Sequence, residues 1–325
     1  MHQLTYGDIK AAGDRIAGRI RPVAVAPLGF GGDVPDGFSG AGASGAEIWA
    51  ALELLQHTGS FKARGAQNFV QAHRDAGTLP DAGITIASGG NAGLACAWAA
   101  QQHGVRATVF LPENAPAVKV ARLRGYGAEV RLAGREYAEA LAACEEFAAA
   151  SGALASHAYD HPLIAAGAGT LLDEILRQLP SMDTMVVSVG GGGLFAGVAT
   201  AAREHGVRTV AVEPDGSRAL HAAVAAGRPV DVPVDSVAAD SLGARRASAT
   251  ALWAARQNGV QTALVPDSEI VRARQLLWDG HRLAVEHAAS TALAAITGGA
   301  YRPAEGERVC VVLCGANTDP SSLAD

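Results

Sequence analysis

The chain has 325 residues, is 49% hydrophobic and carries a net charge of −6, with both signs scattered along it. This excludes a basic face for nucleic acid and a polybasic segment for a membrane surface, so the expected partners are small molecules. Its length fits two domains, or a large one with a smaller companion.

The opening run MHQLTYGDIKAAGDRIAGRI is charged throughout and reads as an amphipathic helix, which excludes an uncleaved secretory signal. No transmembrane run follows. The four cysteines include Cys310 and Cys314 in one strand-like run, where they would lie about 13 Å apart, too far for a disulfide. Nothing asks for an oxidising compartment, and the expected location is the cytoplasm.

A glycine-dense loop at 27–45 has no evident chemical role. The run AEIWAALELL reads as a buried strand leading into the turn Thr58-Gly59-Ser60-Phe61-Lys62. Short apolar strands then alternate with helices: GITIAS, NAGLACAWAAQQHG, ATVFLP, AVKVARLRGYG, AEVRLA and YAEALAACEEFAAASG. A second series runs through GAGTLLDEILRQL, MVVSV, a glycine run with its helix, and VRTVAVE. The stretch GRPVDVPVDSVAADSLGARR reads as loop and short strand. Two long helices and the strand VCVVLCGAN close the chain. Such alternation predicts an α/β protein with parallel or mostly parallel twisted sheets flanked by helices.

Four stretches could carry chemistry. Lys62 stands at a helix start beside Phe61, where a positive helix end and apolar neighbours would lower its pKa and suit it to a Schiff base. The plainer reading is a solvated lysine behind a Ser60 cap. Ser88-Gly89-Gly90-Asn91-Ala92-Gly93 opens a helix after a strand, a seat for an anion, with Asn91 adding a side-chain amide. The plainer reading is a turn capped by Ser88. Gly190-Gly191-Gly192-Gly193 leaves its N–H groups clear of side chains, as a phosphate cradle requires. Here a rival reading arises, because Gly191-x-Gly193-x-x-Ala196 with Glu213 about twenty residues on matches the dinucleotide fingerprint and would make the chain an NAD-dependent oxidoreductase. The fourth stretch is Cys314-Gly315-Ala316-Asn317 at the end of the last strand. All four lie in or beside strand ends, where parallel α/β proteins bind ligands. Histidines 57, 157, 161, 281 and 287 show no metal spacing, no Gly-x-Ser-x-Gly elbow is present, and Cys96 and Cys144 read as packing residues.

Together these stretches resemble the fold-type-II pyridoxal-phosphate enzymes of the tryptophan synthase β-like class, and within them the serine and threonine dehydratases. The resemblance runs from about Ile48 to Asn317. It is closest to the serine dehydratase branch, through SGGNAG where serine racemases have SSGNH, through VSVGGGGL, and through LHAAVAAG followed by SVAADSLGAR. It implies residues 1–68 and 157–325 as a large cofactor domain and 69–156 as a small domain carrying the substrate loop. It implies that Lys62 holds the cofactor as a Schiff base and acts as base, with Phe61 and Ser241 flanking the ring and Asn91 bonding its 3′-oxygen. Gly190, Gly191, Gly192 and Gly193 would hold the phosphate, and Cys314 would face the ring nitrogen. Ser88, Gly89, Gly90, Asn91 and Ala92 would hold the substrate carboxylate.

The reaction implied is β-elimination from L-serine or L-threonine to pyruvate or 2-oxobutyrate and ammonia. A racemase or another hydroxy-amino-acid lyase of this fold, and a catalytically idle amino-acid-binding relative, are the alternatives. The resemblance also implies a homodimer and a potassium or sodium ion held by backbone carbonyls at Gly190, Glu213, Ser217, Leu242 and Ala244, with Ala219 where the family has a further serine ligand. Two features depart from the pattern: Glu286-His287 stands where Glu-Pro is common, and the glycine-dense loop is not a family feature. No regulatory segment is read after Asn317, so the expected kinetics are hyperbolic and insensitive to isoleucine.

Overall fold

The computed structural model describes residues 3–29 and 45–323, so most of the glycine-dense loop lies outside the described residues. In chain order the strands are β1 (Val25–Pro27), β2 (Glu47–Ala51), β3 (Ile84–Ala87), β4 (Ala107–Leu111), β5 (Glu129–Leu132), β6 (Leu154–Ala155), β7 (Thr184–Ser188), β8 (Arg208–Pro214), β9 (Val260–Val265) and β10 (Arg308–Val312). The α-helices are α1 (Tyr6–Ile16), α2 (Lys62–Asp75), α3 (Asn91–Gln102), α4 (Ala117–Gly125), α5 (Tyr137–Ser151), α6 (Pro162–Gln178), α7 (Gly193–Glu204), α8 (Ala219–Ala226), α9 (Ala239–Leu242), α10 (Ala249–Ala255), α11 (Asp267–His281) and α12 (His287–Thr297).

The strands form two sheets, one of six in the order β1-β2-β10-β7-β8-β9 and one of four in the order β5-β4-β3-β6. Every pairing is parallel except β1 with β2. The central strands β3, β4 and β7 are buried along their whole length, as continuous apolar runs in a parallel sheet covered by helices on both faces should be. Each sheet has its own core, and the smaller one also takes Ala63, Ala66, Phe69 and Val70 from α2 and Ile164 from α6.

Helices α6 and α7 cross where glycines meet. A Cβ at Gly197 would lie 2.2 Å from the Ala165 carbonyl oxygen, and one at Gly169 would lie 2.8 Å from that of Gly197. Only glycine allows backbones so close.

Two parts of the sequence reading need correction. The run after Ala51 is not strand, because Glu53–Leu55 and His57–Gly59 are short 3-10 turns. Glu53 is wholly buried there and accepts two hydrogen bonds from Arg64, at 2.8 and 2.7 Å. Arg64 also reaches Glu174 on α6 at 2.7 Å, so a buried ion network anchors α2 just behind Lys62. The stretch 227–246 holds the short helix α9 and, among the described residues, no strand.

Candidate active site

The chain reaches Lys62 through a strained turn. Thr58 has φ 62° and Gly59 φ 77°, left-handed values that a β-branched threonine rarely adopts. Asn317 Nδ2 donates to the Thr58 carbonyl at 2.7 Å and holds the turn from the far end of the sequence. Ser60 is extended, bridges Gly315 and does not cap α2; the N-cap of α2 is Phe61, without a side-chain cap bond. Lys62 is therefore the first residue of α2. Its amine donates to the Ala158 carbonyl at 2.7 Å and lies 4.8 Å from the centre of the Phe61 ring. Lys62 as a residue is half-buried, but the amine itself is enclosed, and desolvation lowers its pKa from 10.5 to about 8 against the opposing pull of Cys314 and Glu286.

The glycine run follows β7 and opens α7, with Gly192 at φ 95° as N-cap. A Cβ at Gly191 would come within 2.3 Å of the Tyr159 ring, and one at Gly192 within 2.3 Å of Ala251 Cβ. At Gly190 and Gly193 the nearest atoms would be 3.0 Å (Leu242) and 2.9 Å (Tyr159) away. No backbone hydrogen bond is donated by Gly190, Gly191 or Gly192 among the described residues, so these amides remain free for an anion.

The dinucleotide reading fails on Glu213. That carboxylate is buried and caps α8, accepting from Leu220 N at 2.7 Å and His221 N at 2.8 Å. Burial raises its pKa to about 7, so it is neither exposed nor free to take a ribose hydroxyl. Spacing matched the fingerprint, but the side chain faces a helix end inside the protein.

Gly90 is the N-cap of α3, with no side-chain cap, and Ser88 Oγ accepts only a long 3.4 Å bond from Gly90 N. A Cβ at Gly93 would collide with the Ser88 carbonyl oxygen at 1.8 Å, which fixes glycine there and lets the loop fold tightly over the helix start. Asn91 sits one residue in. Its Nδ2 donates to both oxygens of Glu286 at 2.9 Å, and its Oδ1 accepts from Asn317 Nδ2 at 2.6 Å. Ser241 Oγ donates to Glu286 at 2.5 Å. Asn91, Ser241 and Asn317, from three separate stretches, thus meet on one carboxylate.

Cys314 is buried, with its sulfur 3.6 Å from Ser188 Oγ, and burial pushes its thiol up to about 12, with Glu286 adding to the rise. It is a neutral group. Of the proposed cation ligands, Gly190 lies against Leu242, whose carbonyl accepts the Ser217 hydroxyl at 2.7 Å. The side chain of Glu213 is committed to α8.

Sequence reasoning missed Glu286 as a hub, the Ala158 carbonyl that holds Lys62, and Tyr159, whose ring packs on Gly191 and whose hydroxyl donates to the Arg246 carbonyl at 3.1 Å. Only the Glu-His departure at 286 gave a signal.

An enclosed lysine amine, a glycine cradle with free amides and a neutral thiol on strand ends of one α/β sheet define a site for a phosphorylated aldehyde cofactor. The profile described as "Pyridoxal-phosphate dependent enzyme" matches residues 38–315. The L-threonine ammonia-lyase of Geobacter sulfurreducens is 38% identical over 283 residues, covering 86% of this chain and 69% of that protein. A serine dehydratase-like protein of Homo sapiens is 38% identical over 288 residues, 84% of this chain and 86% of its own length. The solved structure of maize serine racemase superposes with a TM-score of 0.88 at 27% identity, over 99% of this chain and 96% of that one. The chain belongs to the family of pyridoxal-phosphate dependent enzymes.

The residues present fit that cofactor: the cradle residues carry no side chains of their own, and the Lys62 amine is enclosed. Below about pH 8 the Lys62 amine is protonated and cannot attack an aldehyde; above it the amine is free. Uptake of pyridoxal phosphate by cofactor-free protein, followed by absorbance, is expected to quicken about tenfold per pH unit up to about 8 and then level off. A rate still climbing at pH 10 would mean an ordinary lysine.

Proposed function

We propose that the chain is an ammonia-lyase that eliminates water from L-serine, L-threonine or both, releasing pyruvate or 2-oxobutyrate and ammonia. The observation that carries this reading is the enclosed Lys62 amine at the start of α2. When bound, pyridoxal phosphate supplies the aldehyde that captures the substrate amine and a ring that accepts charge from Cα. Gly190 to Gly193 would hold its phosphate through backbone amides, and Phe61 would flank the ring.

The amides of Asn91 and Ala92 at the positive end of α3, with Ser88 to Gly90 folded close, seat the substrate carboxylate. With the cofactor and substrate bound, the Lys62 amine would take the Cα proton. Cys314, a neutral thiol, would offer the cofactor's ring nitrogen no full countercharge, which would favour expulsion of the β-hydroxyl over prolonged charge at Cα. Water is lost in that step, and the enamine that leaves takes water back as it releases ammonia.

We read residues 1–68 and 157–325 as the cofactor lobe and 69–156 as the smaller lobe. Among the described residues no helix is long and apolar enough to cross a membrane. A cytoplasmic homodimer rests on the family resemblance. Borohydride reduction followed by peptide mass spectrometry should place the cofactor on Lys62, and L-serine or L-threonine should yield 2-oxo acid and ammonia in equal amounts. Label on another lysine, or no 2-oxo acid from either substrate, would refute the reading.

A potassium or sodium ion beside the cradle belongs to the same proposal. The adjacency of Gly190, Leu242 and Ser217 supports it, while the Ser217 hydroxyl occupying the Leu242 carbonyl and the missing hydroxyl at Ala219 weaken the expected affinity. Turnover should fall several-fold when potassium is replaced by tetramethylammonium at matched ionic strength. Equal rates in potassium, sodium and the bulky cation would remove the ion from the site.

A further inference from the structure

Glu286 is the most connected side chain at the site, yet the elimination chemistry does not use it. It is 5% exposed and forms the N-cap of α12. Its carboxylate takes bonds from three other elements: Asn91 Nδ2 at 2.9 Å to each oxygen, Ser241 Oγ at 2.5 Å and the backbone N–H of Asn317 at 2.8 Å. Gly315 makes room for it, since a Cβ there would press on Glu286 Oε1 at 2.6 Å.

An ionised carboxylate only accepts hydrogen bonds, so it dictates the polarity of every neighbour. Asn91 must turn its amino group to Glu286 and its carbonyl to Asn317. One amino hydrogen shared between two oxygens leaves the second for a ligand. Ser241 gives its only proton to Glu286, so toward a ligand it can only accept. Burying a carboxylate is costly, and charge-assisted bonds offset the cost only when the donors converge, as they do here.

We propose that Glu286 is a positioning residue that presents Asn91 as a donor and Ser241 as an acceptor to the bound pyridoxal ring, while tying α3 to α9, α12 and the turn after β10. This rests on the cofactor reading above. The donors come from segments of both cores: Asn91 opens a helix packed on the four-stranded sheet, whereas the neighbours of Ser241 and Asn317, Leu242 and Cys314, pack with the six-stranded one. Asn317 also takes a hydrogen bond from Arg122 on α4 and donates to Asn91, which extends the same tie.

Glu286→Gln tests this in protein loaded with pyridoxal phosphate. Glutamine keeps the volume but can both donate and accept, so Ser241 and Asn91 are free to reverse. Cofactor Kd is expected to weaken about 10- to 100-fold. The absorption band of the bound cofactor should move, and kcat should fall more than KM rises. Ser241→Ala should cost clearly less in the Glu286→Gln background than in wild type, because the serine's orientation is already lost. If Glu286→Gln does not fold, Ser241→Ala alone must still shift the band and weaken Kd. Unchanged Kd and band in the folded variant, whatever its melting temperature, would make Glu286 merely structural and overturn the proposal, as would strictly additive effects. Wild type that shows no cofactor band at all would instead refute the cofactor reading, and this proposal would fall with it.

Discussion

Lys62→Ala is expected to cut release of 2-oxo acid from L-serine and L-threonine by at least about 10³-fold, because one change removes both the covalent anchor and the general base. The fold should survive. Lys62 makes a single hydrogen bond, to the Ala158 carbonyl, whereas α2 is held by the Arg64 network and by the buried face of Ala63, Ala66, Phe69 and Val70. Alanine is also the better helix former. The pKa depression sharpens the stability prediction. The folded protein binds the Lys62 proton less tightly than the unfolded chain does, so this residue penalises folding most below about pH 8. The penalty fades as pH rises toward 10.5. At neutral pH the variant should therefore melt no lower than wild type beyond the loss of one hydrogen bond. Circular dichroism melting alongside a coupled 2-oxo acid assay checks both halves. Activity near wild type would remove Lys62 from the chemistry, and a collapsed melting curve would mean that the amine supports the fold.

The alternation of strand and helix was legible because parallel strands buried on both faces must be apolar runs, and β3, β4 and β7 are such runs. The stretches at Lys62, Asn91 and Cys314 were legible for a related reason: their small and special residues stand at strand or helix ends, where backbone geometry restricts the choice. What escaped notice depends on long-range partners. Glu286 lies 195 residues from Asn91, and a glutamate before a helix looks the same whether it caps the helix or receives three elements. Glu53 sits in a leucine-rich run that reads as strand, and only its pairing with Arg64 explains a buried charge there. Glu213 shows the opposite failure. Its spacing from Gly191 fits a ribose contact, but spacing along the chain does not say which way a side chain points, and this one turns inward to α8.

With L-serine or L-threonine as substrate and chiral chromatography as the readout, the protein should release 2-oxo acid and ammonia with no Cα-inverted amino acid above background. Fold does not decide this, since a serine racemase superposes over nearly the whole chain. The residues on the second face of the substrate do. Racemisation needs a proton carrier on each face, and Lys62 supplies one only. Serine racemases have SSGNH where this chain has SGGNAG, so the second-position serine of their motif is Gly89 here. Of the hydroxyls nearby, Ser241 gives its proton to Glu286 and Tyr159 gives its own to the Arg246 carbonyl. The space beside Gly89 is also closed, because a Cβ would lie 2.8 Å from Leu111 Cδ2. Gly89→Ser must therefore push the Leu111 side chain aside. The single variant should lose elimination through crowding of the carboxylate seat, and any racemisation should appear more readily when Leu111→Ala relieves the contact. Inverted amino acid forming in the wild type at a rate comparable with the 2-oxo acid would show that a second proton carrier exists and would move the chain to the racemase side of its family.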